Sequence, residues 1–400
     1  MLESLYAGLT GLATFSKGLN NISGNVANLN TPGFKRSQAL FEDLMPNPPD
    51  VPSQGGSGAG LGNGVDIRGT TTIFTQGELR QTGNDLDAAV DGNGMFIVRQ
   101  DGKTLYTRAG QFEIDKDGFL VERGTTARVA VLDGGSGLQD LNIQKDTVSP
   151  ASATTSIKLD GNLSRQDADG LQVISGITAH DSSGASHTLK VSFTNVDPFN
   201  WSFQVQDAAG KTVASGAVTF QADGSLAPET QPFSFSYTPA GGTAQTLSIN
   251  LGTPGKFSGL TNFSSGTDSS AKLLSADGYA SGGLTKTTIA TDGSVVLTYA
   301  NGQTVKRAQL ALAWFGFQPK LSPVGGNMYE AGATDKPVIG GAQSSVFGKV
   351  TGGSIESSNV DLTQQFSELI IMQRGYQASS QVITTANDMI QQLLDTKSKR

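Results

Sequence analysis

Two histidines are the sequence's only side chains with an ordinary pKa near neutrality, and both lie in the stretch HDSSGASH, as His180 and His187. Imidazole beside a carboxylate and serines could build a hydrolase or a metal site. No G-x-S-x-G turn and no second ligand cluster accompany them, and exposed strand-end histidines flanking a hairpin account for the same stretch. The run GGSGAGLGNG, residues 55–64, is glycine-rich enough to cradle a phosphate. A dinucleotide fingerprint, however, needs glycine where Asn63 and Val65 stand, with a strand before it and a helix after. Gly-Lys-Thr occurs at 102–104 and 210–212, but the glycine that opens a P-loop is replaced by Ile97 and Val205. The carboxylates sit mainly in Asp-Gly pairs, where aspartate already has a turn to make. No catalytic, cofactor-binding or metal-ligating residue is assigned, and the chain reads as a non-enzyme.

Composition narrows the field further. With no cysteine, the chain has no disulfide, thiolate nucleophile or cysteine-based metal cluster. A net charge of −7 and no basic stripe argue against nucleic acid. Charged residues make up only 16 % and glycine numbers 51 of 400, which suits turn-rich β-domains and surfaces that meet copies of the same chain. The start MLESLYAGLTGLATFSKGLN carries Glu3 where a secretory signal has a cationic region, and no apolar run is long enough for a membrane span. The chain is expected to stay in the cell or to leave by a route that removes no signal peptide.

The elements are legible from periodicity. Leu2, Leu5, Leu9, Leu12, Phe15, Leu19, Ile22, Val26 and Leu29 form a helical stripe with a near-heptad repeat, the opposite face carrying Gly8, Gly11, Gly18 and Gly24. At the other end, Leu362, Leu369, Tyr376, Ile383 and Ile390 recur every seventh residue, joined by Met372, Ala386 and Leu393 and interrupted by Gln365 and Ser379. Ser358 or Asn359 is placed to cap this helix, with Asp361 in its first turn and Lys397, Lys399 and Arg400 at its end. At 1.5 Å per residue the helices would run roughly 40 Å and 50 Å. Their length and terminal positions predict a coiled coil with other copies rather than packing on the chain's own β-core. Pro32 and Gly33 end the first helix in a turn, and residues 45–64 have the composition of a linker. Period-two strands separated by Asp-Gly turns at 91–92, 101–102, 117–118 and 133–134 begin near residue 65.

The predicted fold is therefore mainly β with helical coiled-coil termini and nested antiparallel β-domains, barrel or sandwich, between them. The expected division is 1–31 with 359–400 for the helices, 32–64 for turn and linker, 65–146 with 285–358 for a middle β-domain, and 147–284 for an inserted outer β-domain.

Three blocks carry a resemblance. NVANLNTPGFKR, with Asn28, Asn30, Thr31, Gly33, Phe34 and Lys35, closely resembles the signature of the bacterial flagellar rod and hook axial proteins. AAVDGNGMFIV looks like that family's β-domain motif, with Met95 where an aromatic is common and Asn93 where aspartate is frequent. SNVDLTQQFSELIIMQRGYQASSQVITTANDMIQQLLD looks like its C-terminal helix. The length, with an inserted outer domain, is most similar to hook members; distal rod members share the motifs but are shorter. The resemblance implies a subunit exported through the flagellar type III apparatus without a cleaved signal. It would polymerise with itself under a hook cap, between rod proteins and hook–filament junction proteins, into a curved, flexible extracellular tube. The rival readings are a distal rod protein, a secreted β-rich binding module using 147–284 alone and, weakest of the three, an enzyme acting through His180 or His187.

Overall fold

The computed structural model describes residues 2–44, 64–134, 137–166, 170–230, 232–316, 321–333 and 335–398. The glycine-rich run at 55–63, the linker composition of 45–63 and the terminal Lys399 and Arg400 lie outside the described residues. The chain divides into two compact units, the first holding 1–144, 287–296 and 306–400, the second 145–286 and 297–305.

The first unit contains both helices, α1 (Leu2–Ala27) and α2 (Leu362–Ser398), together with β-structure. Neither the helices nor the strands form a separate compact unit. In its main sheet, Arg128–Leu132, Met95–Gln100, Lys103–Thr107, Met328–Ala331 and Leu321–Gly325 lie side by side in that order. Asp101 and Gly102, with φ of 51° and 77°, make the two-residue turn that joins Met95–Gln100 to Lys103–Thr107. Both residues in the left-handed region is the geometry whose twist matches that of the flanking strands. Met95, Ile97, Tyr106, Ala130, Ala311, Ala313, Leu321 and Tyr329 build a core from residues far apart in sequence.

The stretch 32–64, expected as turn and linker, contains a strand. Ser37–Asp43 pairs antiparallel with Val65–Thr72 as a separate two-stranded ribbon, with a bulge at Leu40/Phe41. The ribbon lies along α1. Thr14 Oγ1 donates to the Val65 carbonyl at 2.8 Å, Lys17 pairs with Asp66 at 3.1 Å, and Phe15 meets Phe41 with centroids 6.3 Å apart. Thr14 and Lys17 thus bind the ribbon through polar contacts and Phe15 through an apolar one.

The second unit is a sandwich. One sheet is antiparallel, with Leu171–His180, Ser186–Asp197, Asn200–Asp207 and Thr212–Thr219 in that order. The other contains Phe233–Tyr237, Gln245–Asn250, Ser156–Asn162, Leu260–Thr261 and Lys272–Ala276. Both faces feed one cluster around Trp201, Phe193, Phe203, Leu247 and Ile249. Pairing is antiparallel as expected except at one strand: Ser156–Asn162 runs parallel to both Gln245–Asn250 and Leu260–Thr261. Long connections, rather than hairpins, bring these strands together, and turn residues do not report that.

Candidate functional site: the paired terminal helices

Helices α1 and α2 pair with each other, antiparallel, within one chain. A Cβ built on Gly8 would meet Ile383 at 2.8 Å, one on Gly11 would meet Ser379 at 2.6 Å, and one on Gly18 would meet Met372 at 3.1 Å. From the other side, a Cβ on Gly375 would come within 2.5 Å of the Phe15 ring. Farther along, Asn25 Nδ2 donates to Gln365 Oε1 at 2.8 Å, both residues being buried. These contacts give α1 a seam of Gly8, Gly11, Phe15, Gly18, Ile22 and Asn25, spaced three and four apart. Glycine lets the helix backbones approach where a side chain would hold them apart.

This corrects the face assigned to α1. Of the predicted stripe, Phe15 and Ile22 lie on the seam, and the remaining positions fall about one residue to its side. Leu5, Leu12, Leu19, Val26 and Leu29 are half-buried and Leu9 is 50 % exposed, while the Leu2 side chain lies outside the described residues. On α2, Leu369, Met372, Ile383, Ala386 and Ile390 are covered to different degrees, whereas Leu362, Tyr376 and Leu393 face outward. The supposed interruptions Gln365 and Ser379 are seam residues. Each helix consequently keeps an apolar face toward solvent. On α2 that face includes Phe366, Ile370, Ile371 and Leu394, with Ile371 63 % exposed.

The roots of the helices are held by polar groups. Asp361, rather than Ser358 or Asn359, caps α2: its Oδ1 accepts from the amides of Thr363 and Gln364 at 2.7 and 3.1 Å. Asn359 instead accepts from the Arg36 amide at 2.7 Å and donates to the Ile73 and Thr75 carbonyls. Asn28 donates to the Gly24 carbonyl and accepts from the Thr31 hydroxyl, closing the end of α1, while Asn30 is exposed. Gly33 has φ of 69°, and a Cβ there would lie 2.4 Å from the Ala109 nitrogen, so a side chain is excluded twice over. Phe34 is half-buried. Lys35 is fully buried, and its Nζ donates to Glu356 Oε1 and, at 2.8 Å, to the Thr75 carbonyl. Glu356 Oε2 accepts from Arg108 Nη1 at 3.2 Å. Burial pulls both cations' pKa values down, against the opposing pull of Glu356. Sequence reading missed Glu356, Arg108 and Asn25 and took Gln365 for an interruption; a polar residue at a seam position was the one available signal, for the last two.

The histidines serve a turn. His187 Nε2 lies 2.9 Å from Asp181 Oδ2, and Ser183 Oγ donates to Asp181 Oδ1 at 2.7 Å, so the serine is wired to the acid and not to an imidazole. These bonds, that from His187 foremost, hold the Asp181 carboxyl well below the usual range. His187 is half-buried, not exposed as expected. Among the described residues, no group of three His, Asp or Glu could hold a metal, and no helix is long and apolar enough to cross a membrane.

Four family models match in chain order: flagella basal body rod protein over 5–35, flagellar hook protein FlgE/F/G D1 domain over 89–165, flagellar basal body protein FlaE D2 domain over 142–279, and flagellar basal body rod FlgEFG protein C-terminal over 351–396. The flagellar hook protein FlgE of Treponema pallidum is 30 % identical, covering 99 % of this chain and 100 % of its own length. The chain belongs to the flagellar hook protein family. The hook protein FlgE of Salmonella typhimurium is also 30 % identical, over 97 % of this chain and 98 % of that one. A crystal structure of Helicobacter pylori hook protein FlgE2 shares the fold at TM-score 0.50 and 15 % identity, over 68 % of this chain and 98 % of that one. Hook family membership makes this a structural protein of the bacterial flagellum. The rod signature at 5–35 ends on Gly33, Phe34 and Lys35, where α1 is tied into the first unit.

Proposed function

We propose that the chain is the self-polymerising subunit of the flagellar hook, the curved, flexible tube that joins rod to filament and transmits motor torque. The observation that carries the reading is the end-to-end match to hook proteins. The outward apolar faces of the paired helices support it, because Leu9, Ile371, Leu393 and Leu394 remain more than a third exposed. Burying such surface against neighbouring copies gains about 25 cal/mol per Å². Contacts between unlike surfaces that do not close into a ring generate helical tubes. The stripe positions Leu2–Leu29 and Leu362–Leu393 are proposed as assembly residues, the outward ones between copies and the seam ones within each copy. The subunit is proposed to leave the cell through the flagellar type III apparatus without a cleaved signal, and to meet rod proteins, a hook cap and junction proteins.

Electron microscopy of the concentrated full-length chain tests this. Curved tubes are expected from the unaltered chain, and monomers from a chain carrying Ile371→Asp and Leu394→Asp. Unaltered chain that stays monomeric under all associating conditions would defeat the reading. The two end segments match models named for rod proteins. Straight, stiff tubes would therefore favour a rod-type axial subunit.

A further inference from the structure

The buried cluster at the helix roots draws on three distant parts of the sequence. Glu356 lies 321 residues from Lys35 and 248 from Arg108. Its Oε1 accepts from Lys35 and from the Gly77 amide at 2.8 Å, and its Oε2 from Arg108. Arg108 spends two further N–H groups on the carbonyls of Val90 at 3.1 Å and Gly92 at 2.8 Å. The side chains of Lys35 and Glu356 are fully buried, and that of Arg108 is 8 % exposed. Two cations therefore share one carboxylate. The backbone is stitched at the same place, Gly33 N donating to the Glu356 carbonyl at 2.8 Å and Asn359 N to that of Phe34.

We infer that Glu356 is a positioning residue that makes the seating of the N-terminal segment conditional on the C-terminal one. Burying Lys35 and Arg108 as charged groups is costly without an anion, and the one carboxylate bonded to them among the described residues arrives with the strand that leads into α2. A chain whose residues up to 108 are in place still lacks it, so the root of α1 stays unseated until residue 356 joins. The stoichiometry gives the device an asymmetry. Removing Lys35 leaves Arg108 and Glu356 as a balanced pair, whereas removing the carboxylate leaves two cations uncompensated. The inference rests on the first unit alone, so a failure to polymerise does not bear on it.

Amide hydrogen exchange on the full-length monomer reads it, with peptides from α1, 33–37 and α2, and Asn200–Asp207 of the second unit as internal reference. Lys35→Met is expected to keep helix protection within about threefold, and Glu356→Gln to lose about 100-fold or more in both helices with the reference unchanged. Adding Lys35→Met and Arg108→Met to Glu356→Gln is expected to restore most of the loss, since no charge then remains buried in this cluster. Should Glu356→Gln alone fail to accumulate, the triple variant measured against the unaltered chain decides. The inference falls if Glu356→Gln keeps its protection, if Lys35→Met costs as much as Glu356→Gln, or if the triple variant shows no recovery. Unprotected helices in the unaltered monomer would also overturn it, because there would be no seating to control.

Discussion

In the second unit, Trp201, Phe193 and Phe203 meet Leu247 and Ile249 across two sheets, and the buried charge among the described residues is Asp181, in a turn. In the first unit, Lys35, Asp87, Arg108, Glu122 and Glu356 are all buried. Both kinds of interior exclude water, but they specify structure differently. Apolar burial is non-directional and tolerates repacking, so a stretch that is nearly continuous in sequence can condense on itself. A buried ion pair is satisfied only by its own partner in one geometry. The unit that contains both chain ends, and must bring them to one place, is the unit that uses charge.

The largest effect expected from breaking this comparison on the apolar side comes from Phe203→Ala. Phe203 is 1 % exposed and packs against Phe193, tilted, and Phe233, edge to face, with centroids 5.8 and 5.0 Å away. Truncating it should cost about 3–5 kcal/mol. In denaturant, the transition that reports the second unit should shift by that amount while the α1 and α2 peptides keep their exchange protection. An equal loss in both units would mean that the two interiors are not separate determinants.

On the charged side, Glu122 is the buried acid without a counterion among the described residues, and its Oε2 has no hydrogen-bond partner. Burial raises its pKa from 4.5 to about 7. The folded state therefore holds a proton that the unfolded chain has lost, so stability falls as pH rises from 4.5 and the loss is complete above about pH 7. The full difference is at most about 3 kcal/mol. Asp292, held down to about 2 chiefly by its hydrogen bond from Lys306, acts with the opposite sign and only below pH 4, so the two windows do not overlap. Unfolding measured between pH 4.5 and 8 should show the slope in the unaltered chain and a flatter profile in Glu122→Gln. A profile unchanged by that substitution would place the titration elsewhere.

How much the sequence disclosed follows the same division. Period-two alternation and Asp-Gly pairs marked turns such as Asp101-Gly102, because a hairpin's geometry is decided by its local residues. Both helices were legible from their spacing. The face that α1 buries was not, because the reading equated apolar with covered, whereas Gly8, Gly11 and Gly18 are covered by close backbone approach and Leu9 is left outside. The strand Ser37–Asp43 was hidden for a related reason: mostly exposed, it is fixed by bonds from Asn21 and Asn25 to Ser37 rather than by a core. The pairing of Lys35 with Glu356 leaves no trace in either segment alone. Only the first half of the pair was noticed, as part of a motif, without its reason.

The smallest expected effect asks whether shape, alongside charge, distinguishes the first unit, and it uses one substitution at two sites. Alanine is a better helix former than glycine by up to about 1 kcal/mol, so propensity alone favours Gly→Ala anywhere inside a helix. At Gly24 a Cβ meets nothing within 4 Å, and Gly24→Ala should stabilise by about 0.5 kcal/mol, reduced because the site lies in the last turn of α1. At Gly375 the same Cβ lies 2.5 Å from the Phe15 ring, which is itself set against Phe41. Displacing it costs about 1–3 kcal/mol, which exceeds the propensity gain. Gly375→Ala should therefore destabilise the helix pair by about 1 kcal/mol, read as faster amide exchange in both helices, while Gly24→Ala slows it. Two changes of the same sign would mean that the ring turns aside freely, and that the glycines of the seam are tolerated by the packing without being required by it.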